Sequence, residues 1–243
     1  MRTRGPHFLV PPAAVSARRV VLSGDDARHL GVVLRAHPGD PVSVADGTGA
    51  LLQTRVARTG EEVVLEVLER VHVPAPRPSL TVVHALPKGR KLDEVVQRLS
   101  EVGVDRLVPV HSTRSQVQLR AERAAKAVLR WRAIALAAAK QSRRVRTMVV
   151  DDVGEWTRTL PAPAPGVVLW EESTTPLRSC LAEIDATSAG ALWLAIGPEG
   201  GLTEAEVHGC GLAPASLGPT ILRTETAGLV AASLVLSALG RLG

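Results

Sequence analysis

Ala195-Ile196-Gly197-Pro198-Glu199-Gly200-Gly201-Leu202-Thr203 and, after a short gap, Leu217-Gly218-Pro219-Thr220-Ile221-Leu222-Arg223-Thr224-Glu225-Thr226-Ala227 decide how this chain is read. Each block follows or contains an apolar run and then breaks into Gly and Pro, the pattern of a strand end turning sharply into a loop. Gly lets backbone amides approach a ligand closely, and Pro fixes the direction in which the chain leaves. Two such loops close in sequence suggest one pocket. Gly197 to Gly201 does not match the dinucleotide pattern G-x-G-x-x-G, because Glu stands at 199. Nor does it match a P-loop, which needs Gly-Lys followed by Ser or Thr. What remains is a small ligand held through main-chain groups, and a Gly-Pro-Glu-Gly-Gly turn taken alone is more often only a turn.

Working outward, Thr203-Glu204-Ala205-Glu206 is a capping box that starts a short helix. A last helix is expected from about Glu225 to Leu239. It carries no charge from Thr226 to Gly240, so it is expected to be enclosed nearly all round, and it is too short to span a membrane. Upstream, Leu80 to Leu86 reads as a strand ending at Pro87-Lys88-Gly89. Leu92, Val95, Val96, Leu99 and Val102 then share one helical face, with Gly103 as the terminating residue. Leu107 to Val110 is a second strand, and strand-helix-strand order implies a parallel sheet. Arg120 to Gln141 is helical with Arg and Lys outward, and Val167 to Trp170 and Ala191 to Ile196 are further strands. The whole reads as an α/β domain over residues 80–243, preceded by a proline-rich linker at 74–79. Residues 8–73 alternate short β-prone runs with turns such as Asp46-Gly47-Thr48-Gly49, which points to a small β-barrel domain over residues 1–73. Inside it Asp26 to Arg35 reads as one short helix, and its His29 as a structural or RNA-contacting residue.

The 243 residues are 45% hydrophobic and 22% charged, as in an ordinary globular protein. The net charge of +5 hides an asymmetry. Residues 1–76 hold nine Lys and Arg against eight Asp and Glu, residues 77–147 hold sixteen against five, and residues 148–243 hold four against eleven. A basic block of this size favours a polyanion such as RNA or DNA over a merely solvated helix face. The start of the chain has no signal-peptide pattern. Cys180 and Cys210 are far apart and suggest neither a disulfide nor a zinc site, so a cytoplasmic protein without a metal is expected.

The two loops together resemble the signature of the RsmE family, the 16S ribosomal RNA uracil-N3 methyltransferases of the SPOUT superfamily. Leu86-Pro87-Lys88-Gly89, Gln97 to Val104, Arg114-Ser115, Gln141-Ser142-Arg143, Phe8-Leu9-Val10 and His29 to Arg35 are similar to further family elements, so the resemblance spans nearly the whole chain. The chain departs from it at Lys140, where Glu is expected, and at Leu99-Ser100, where Ala-Thr is usual. The resemblance implies a PUA-like N-terminal barrel, a SPOUT trefoil-knot domain with a parallel sheet, and S-adenosyl-L-methionine as cofactor. It implies a homodimer, and a 16S rRNA substrate within the 30S subunit during ribosome biogenesis, with no membrane partner. Carried over residue by residue, Trp170, Glu172, Ile196, Gly197, Gly201, Leu217, Gly218, Ile221, Leu222 and Thr226 are the expected cofactor contacts. Of these Gly197, Leu217, Gly218 and Leu222 would act mainly through backbone, and Ile196 and Ile221 would face the adenine.

Uracil N3 is a poor nucleophile until it loses its proton, so the reaction needs a base or a cation that stabilises the uracil anion. Arg223 is the candidate cation. Glu225 is the candidate base or the residue that orients Arg223, and a purely structural role at the start of its helix is as well supported. Candidate RNA contacts are Arg2, Arg4 and His7 in the N-terminal arm, with Arg35, Lys88, Arg114, Arg143 and Arg144. With no Tyr and one Phe, a stacking sheet of the RRM kind is not expected. The alternatives are a methyltransferase of this fold acting on another RNA, and an RNA-binding module without activity.

Overall fold

The computed structural model describes residues 5–160, 165–185 and 189–243. By compactness the chain divides into two units. The first holds the residues up to Ala75 together with Ala139–Thr147, and the second holds Pro76–Ala138 with Met148–Gly243.

The first unit is built on a five-stranded sheet of β1 (His7–Leu9), β2 (Arg19–Leu22), β3 (Pro41–Ala45), β4 (Ala50–Arg58) and β5 (Val63–His72). The order is β1-β3-β4-β5-β2, antiparallel except for the parallel β1–β3 pair. In keeping with the expected small β-barrel domain, the sheet curls as a half-barrel over a core that includes Phe8, Leu22, Leu30, Val44, Leu52 and Leu65. The helix α1 (Gly24–Arg28) passes directly into a π-helical turn at His29–Val33, so the expected helix over 26–35 is really two. The Asp46 turn forms because one carboxylate oxygen accepts the amides of Thr48, Gly49 and Ala50 at 2.8 to 3.0 Å. Burial alone would raise this carboxyl's pKa, but the bonds from Thr48, Ala50 and Gly49 outweigh it and hold the pKa below its usual value. Lys140 also finds its partner within this unit. Its ammonium lies 3.0 and 3.1 Å from the two carboxylate oxygens of Asp26, so the departure from the family pattern is neutralised locally.

The second unit contains β6 (Ser79–Ala85), α2 (Lys91–Val102), β7 (Arg106–His111), α3 (Ala121–Gln141, whose last residues count with the first unit), β8 (Val149–Val150), β9 (Gly154–Glu155) and α4 (Trp156–Thr159). It continues with β10 (Gly166–Leu169), α5 (Leu177–Glu183), β11 (Ala191–Ile196), α6 (Glu204–Gly209), β12 (Ala213–Ala215) and α7 (Thr224–Ala238). The sheet order is β12-β10-β11-β6-β7-β8, with β9 also on β7, and every pair is parallel. On one face α2, α3, α5 and α7 cover a core that includes Leu80, Leu99, Leu107, Leu194 and Leu236, and on the other α4 and α6 cover Val83, Val108, Val168 and Ala195. Burial on both faces explains why the strands read as continuous apolar runs.

The stripe of α2 packs inward through Leu92, Val95, Val96 and Leu99, and Gly103 closes the helix at φ 110°. Ser100 beside that stripe donates its hydroxyl to the Ala135 carbonyl of α3 at 3.0 Å. Helix α7 is not enclosed all round within one chain. Gly228, Ala231, Ala232, Val235 and Leu236 are buried, but Leu234 is 49% exposed. A helix lying on a sheet can bury only the stripe that faces it.

Candidate active site

The strand order places the carboxyl ends of β12, β10 and β11 side by side, where α/β sheets hold their ligands. The three loops leaving these ends are tied to one another. The Trp170 amide donates to the Ala215 carbonyl at 3.0 Å and the Ser216 amide to the Thr175 carbonyl at 2.8 Å, joining the loops after β10 and β12. The Thr224 hydroxyl donates to the Gly197 carbonyl at 2.7 Å, joining the start of α7 to the loop after β11. Gly201, at φ 69°, packs against the Glu171 carboxylate, and a Cβ added there would collide with it. A Cβ on Gly197 would lie 2.8 Å from Leu202 Cγ. The positive φ of Gly201 and the close approach of Leu202 to Gly197 therefore favour glycine where these loops close.

Beneath them lies His84, fully buried on β6 in register with Ile196. Its Nδ1 donates to the Ala85 carbonyl at 2.7 Å, and its Nε2 has no hydrogen-bond partner. Burial pushes its pKa below the ordinary histidine value. A Cβ on Gly228 would sit 3.2 Å from Ile196 Cδ1 and 3.4 Å from His84 Cδ2, so this glycine lets the first turns of α7 approach the sheet.

Above, Lys91 reaches Glu199 Oε1 at 2.9 Å and Glu225 Oε1 at 3.5 Å. Glu199 also accepts the Lys88 amide at 3.2 Å. Burial would raise the Glu199 pKa, but Lys91 and the amide bonds hold it down, and Lys91 is raised by its hydrogen bond to Glu199. One ammonium thus holds together the loop after β11 and the N-terminus of α7. Arg114 adds a second brace, with its guanidinium 3.3 Å from both the Gly200 and Leu202 carbonyls.

Of the sequence-expected residues, Gly197, Gly201, Leu217, Gly218, Ile221, Leu222 and Thr226 all lie on the interlocked loops or at the start of α7. Ile221 is 86% exposed, and Gly218 adopts φ 115° with open space on its Cβ side. Glu172 is exposed on the loop after β10. Two expected contacts pack against neighbouring side chains. Ile196 is 2% exposed and packs in the core under α7, on the sheet face that strand alternation gives it. The Trp170 indole lies edge-on to the His208 ring at 5.9 Å, with its Nε1 buried and unpartnered.

Arg223 is exposed at the N-cap of α7 and makes no ion pair among the described residues. Glu225 does not orient it, because its carboxylate faces Lys91, with Oε2 buried and unpartnered. Lys88 is exposed beside Glu199. Arg35 and Arg143 adopt positive φ in the first unit, where Arg144 is half-buried. His7 is bonded through Nδ1 to the Ser43 hydroxyl at 2.7 Å, and Arg2 and Arg4 fall outside the described residues. Reading the sequence missed Lys91, His84, Glu199 and Thr224 as parts of this assembly. A lone His inside the apolar run 80–86 was a signal for one of them. Among the described residues no group of His, Cys, Asp and Glu is placed to hold a metal.

Residues 74–236 match the family model described as an RNA methyltransferase domain. The chain is 35% identical over 226 residues to the ribosomal RNA small subunit methyltransferase E of Mycobacterium bovis, covering 88% of this chain and 85% of that protein. It is 33% identical to the Bacillus subtilis protein of the same name, covering 88% of each. Among solved structures, the ribosomal RNA small subunit methyltransferase E of Neisseria gonorrhoeae, bound to S-adenosyl methionine, superposes with a TM-score of 0.79 at 29% identity, covering 96% of this chain and 97% of that one.

Proposed function

Because the chain belongs to the ribosomal RNA small subunit methyltransferase E family, we propose that it transfers a methyl group from S-adenosyl-L-methionine to N3 of a uridine in 16S rRNA. The single observation that carries this reading is the interlocking of the three loops at the sheet's carboxyl ends through main-chain bonds, the Thr224 hydroxyl and closely packed glycines.

The residues fit that cofactor. The main chain of Gly197, Leu217, Gly218 and Leu222 runs along this edge, the exposed Ile221 offers apolar surface, and two polar atoms there, Trp170 Nε1 and Glu225 Oε2, have no partner. Bound there, S-adenosylmethionine supplies an activated sulfonium methyl group, so the protein's task is to align the nucleophile and exclude water. Arg223, exposed and without an ion pair among the described residues, stabilises the uracil anion left when N3 gives its proton to solvent water. The Glu225 carboxylate faces Lys91, so we assign it to hold Lys91 and the start of α7 rather than to take the proton. Lys88 and Arg114 place phosphate-binding charge next to the same loops. A homodimer is supported by α7, which is uncharged from Thr226 onward and leaves Leu234 half exposed.

The reading is tested by methylation of isolated small subunits and of free 16S rRNA. Wild type is expected to modify the particle, and Arg223→Ala to lose about 10²–10³-fold in kcat, as for removal of an oxyanion-stabilising donor, with cofactor affinity unchanged. Methyl incorporation insensitive to Arg223→Ala removes that assignment.

A further inference from the structure

A cleft of about 290 Å³ opens between the loop after β6, the first turn of α2, residues 117–119 and the N-terminal half of α3. Its floor is apolar, formed by Pro87, Leu92, Leu119 and Trp131, and the Trp131 indole is fixed by its Nε1 donating to Asp93 at 2.9 Å. Its rim is cationic, formed by Arg123, Lys126 and Arg130, and no acidic side chain is among the described residues that line it. Lys126 pairs with Glu122 and Arg130 with Asp93 at 2.9 and 3.0 Å, both through solvent-exposed cations. Such pairs hold little net energy and open readily to a better anion. Arg123 is exposed and has no ion pair among the described residues.

The cleft shares a wall with the candidate active site. Pro87 and Gly89 line it, while the amide of Lys88 between them donates to Glu199 of the Gly197–Gly201 loop at 3.2 Å. A strand lying across this wall would therefore have one nucleotide at the cofactor loops and another at the cleft. An apolar floor under a rim of cations suits an unpaired nucleotide, whose base has apolar faces and whose phosphate carries the charge. The volume, at the low end for small-molecule pockets, admits one base. An extended peptide would also need partners for its backbone groups, and the charged side chains lining this cleft are all cations.

We infer that this cleft binds an unpaired nucleotide of the RNA substrate adjacent to the methylated one, its base on the Leu119 and Trp131 floor and its phosphates on Arg123 and Lys126. The inference rests on the RNA substrate proposed above. It is tested on the full chain with a single-stranded oligoribonucleotide of small-subunit sequence around the modified uridine, located by mapping the wild-type product. Arg123→Glu should weaken RNA binding about tenfold and lower the slope of log Kd against log salt by about 0.7 for each phosphate it no longer neutralises, with S-adenosylmethionine affinity unchanged. Removing bases next to the target one at a time should cost wild type about tenfold at one position, on the scale of a single unstacked base. A photoreactive thiouridine at that position should cross-link within residues 86–92 or 117–131. The inference is overturned if Arg123→Glu binds RNA like wild type, if no abasic position matters, or if the cross-links map elsewhere. It is equally overturned if poly-glutamate displaces the intact strand as readily as the abasic one, which would show that the rim responds to charge alone. Failure of the enzyme reading looks different: wild type would transfer no methyl group whatever happens at the cleft.

Discussion

Gly201 shows how much of the candidate site depends on one missing Cβ. Its φ of 69° costs an L side chain roughly 1–2 kcal/mol, and the Glu171 carboxylate occupies the space a methyl group would need. Gly201→Ala should therefore leave the fold intact but strain the turn after β11 and displace the exposed Glu171 side chain from it. S-adenosylmethionine affinity, measured by calorimetry, is expected to fall about tenfold, the equivalent of about 1.4 kcal/mol, and unchanged affinity would show that these loops do not grip the cofactor. Gly201 was legible in the sequence as a loop glycine, but its neighbour was not. Glu171 stands thirty positions away on another strand's loop, and no local pattern announces that pairing. The same holds for Lys91, which reads as the polar start of an amphipathic helix and turns out to hold both Glu199 and Glu225.

Elements were the most legible scale. The stripe on α2 and its terminating Gly103 follow directly from period and cap chemistry. So does the capping box of α6, where the Thr203 hydroxyl accepts the Glu206 amide at 3.2 Å and Glu206 accepts the Thr203 amide at 2.9 Å. The structure adds a second duty, because the same Glu206 carboxylate accepts the Thr113 amide at 2.7 Å and so ties the segment after β7 to α6. Thr203→Ala should cost about 1 kcal/mol as a lost N-cap. For a chain of this size that lowers Tm by roughly 2–4 °C, which thermal denaturation would register, and an unchanged Tm would mean that the cap is replaced by solvent. Periodicity was less informative for α7, where an uncharged run looks enclosed on every side and only packing shows which stripe meets the sheet.

At the scale of the whole molecule, histidines withdrawn from water couple stability to pH. His84 and His7 both have pKa values depressed by burial below the ordinary 6.5. Below about that pH the unfolded chain binds protons that the folded one does not, so stability falls as pH drops from 6.5 toward the folded-state values. Wild-type Tm is expected to decline between about pH 7 and 5.5, and His84→Asn, which keeps a donor for the Ala85 carbonyl, should flatten that decline while leaving the share due to His7. An equal decline in the variant would mean that His84 is hydrated in the folded state. Composition and motif order were sufficient for the α/β class, the parallel sheet, the basic central block and the family, because each is written in local pattern or in residues consecutive along the chain. Which residues meet at the three loops, that Ile196 turns into the core, that Lys140 is neutralised by Asp26, and that residues 139–147 close the first unit were decided only by tertiary structure. Such pairings join positions tens to more than a hundred residues apart, and their energy comes from packing and charge neutralisation that exist only once the chain has folded.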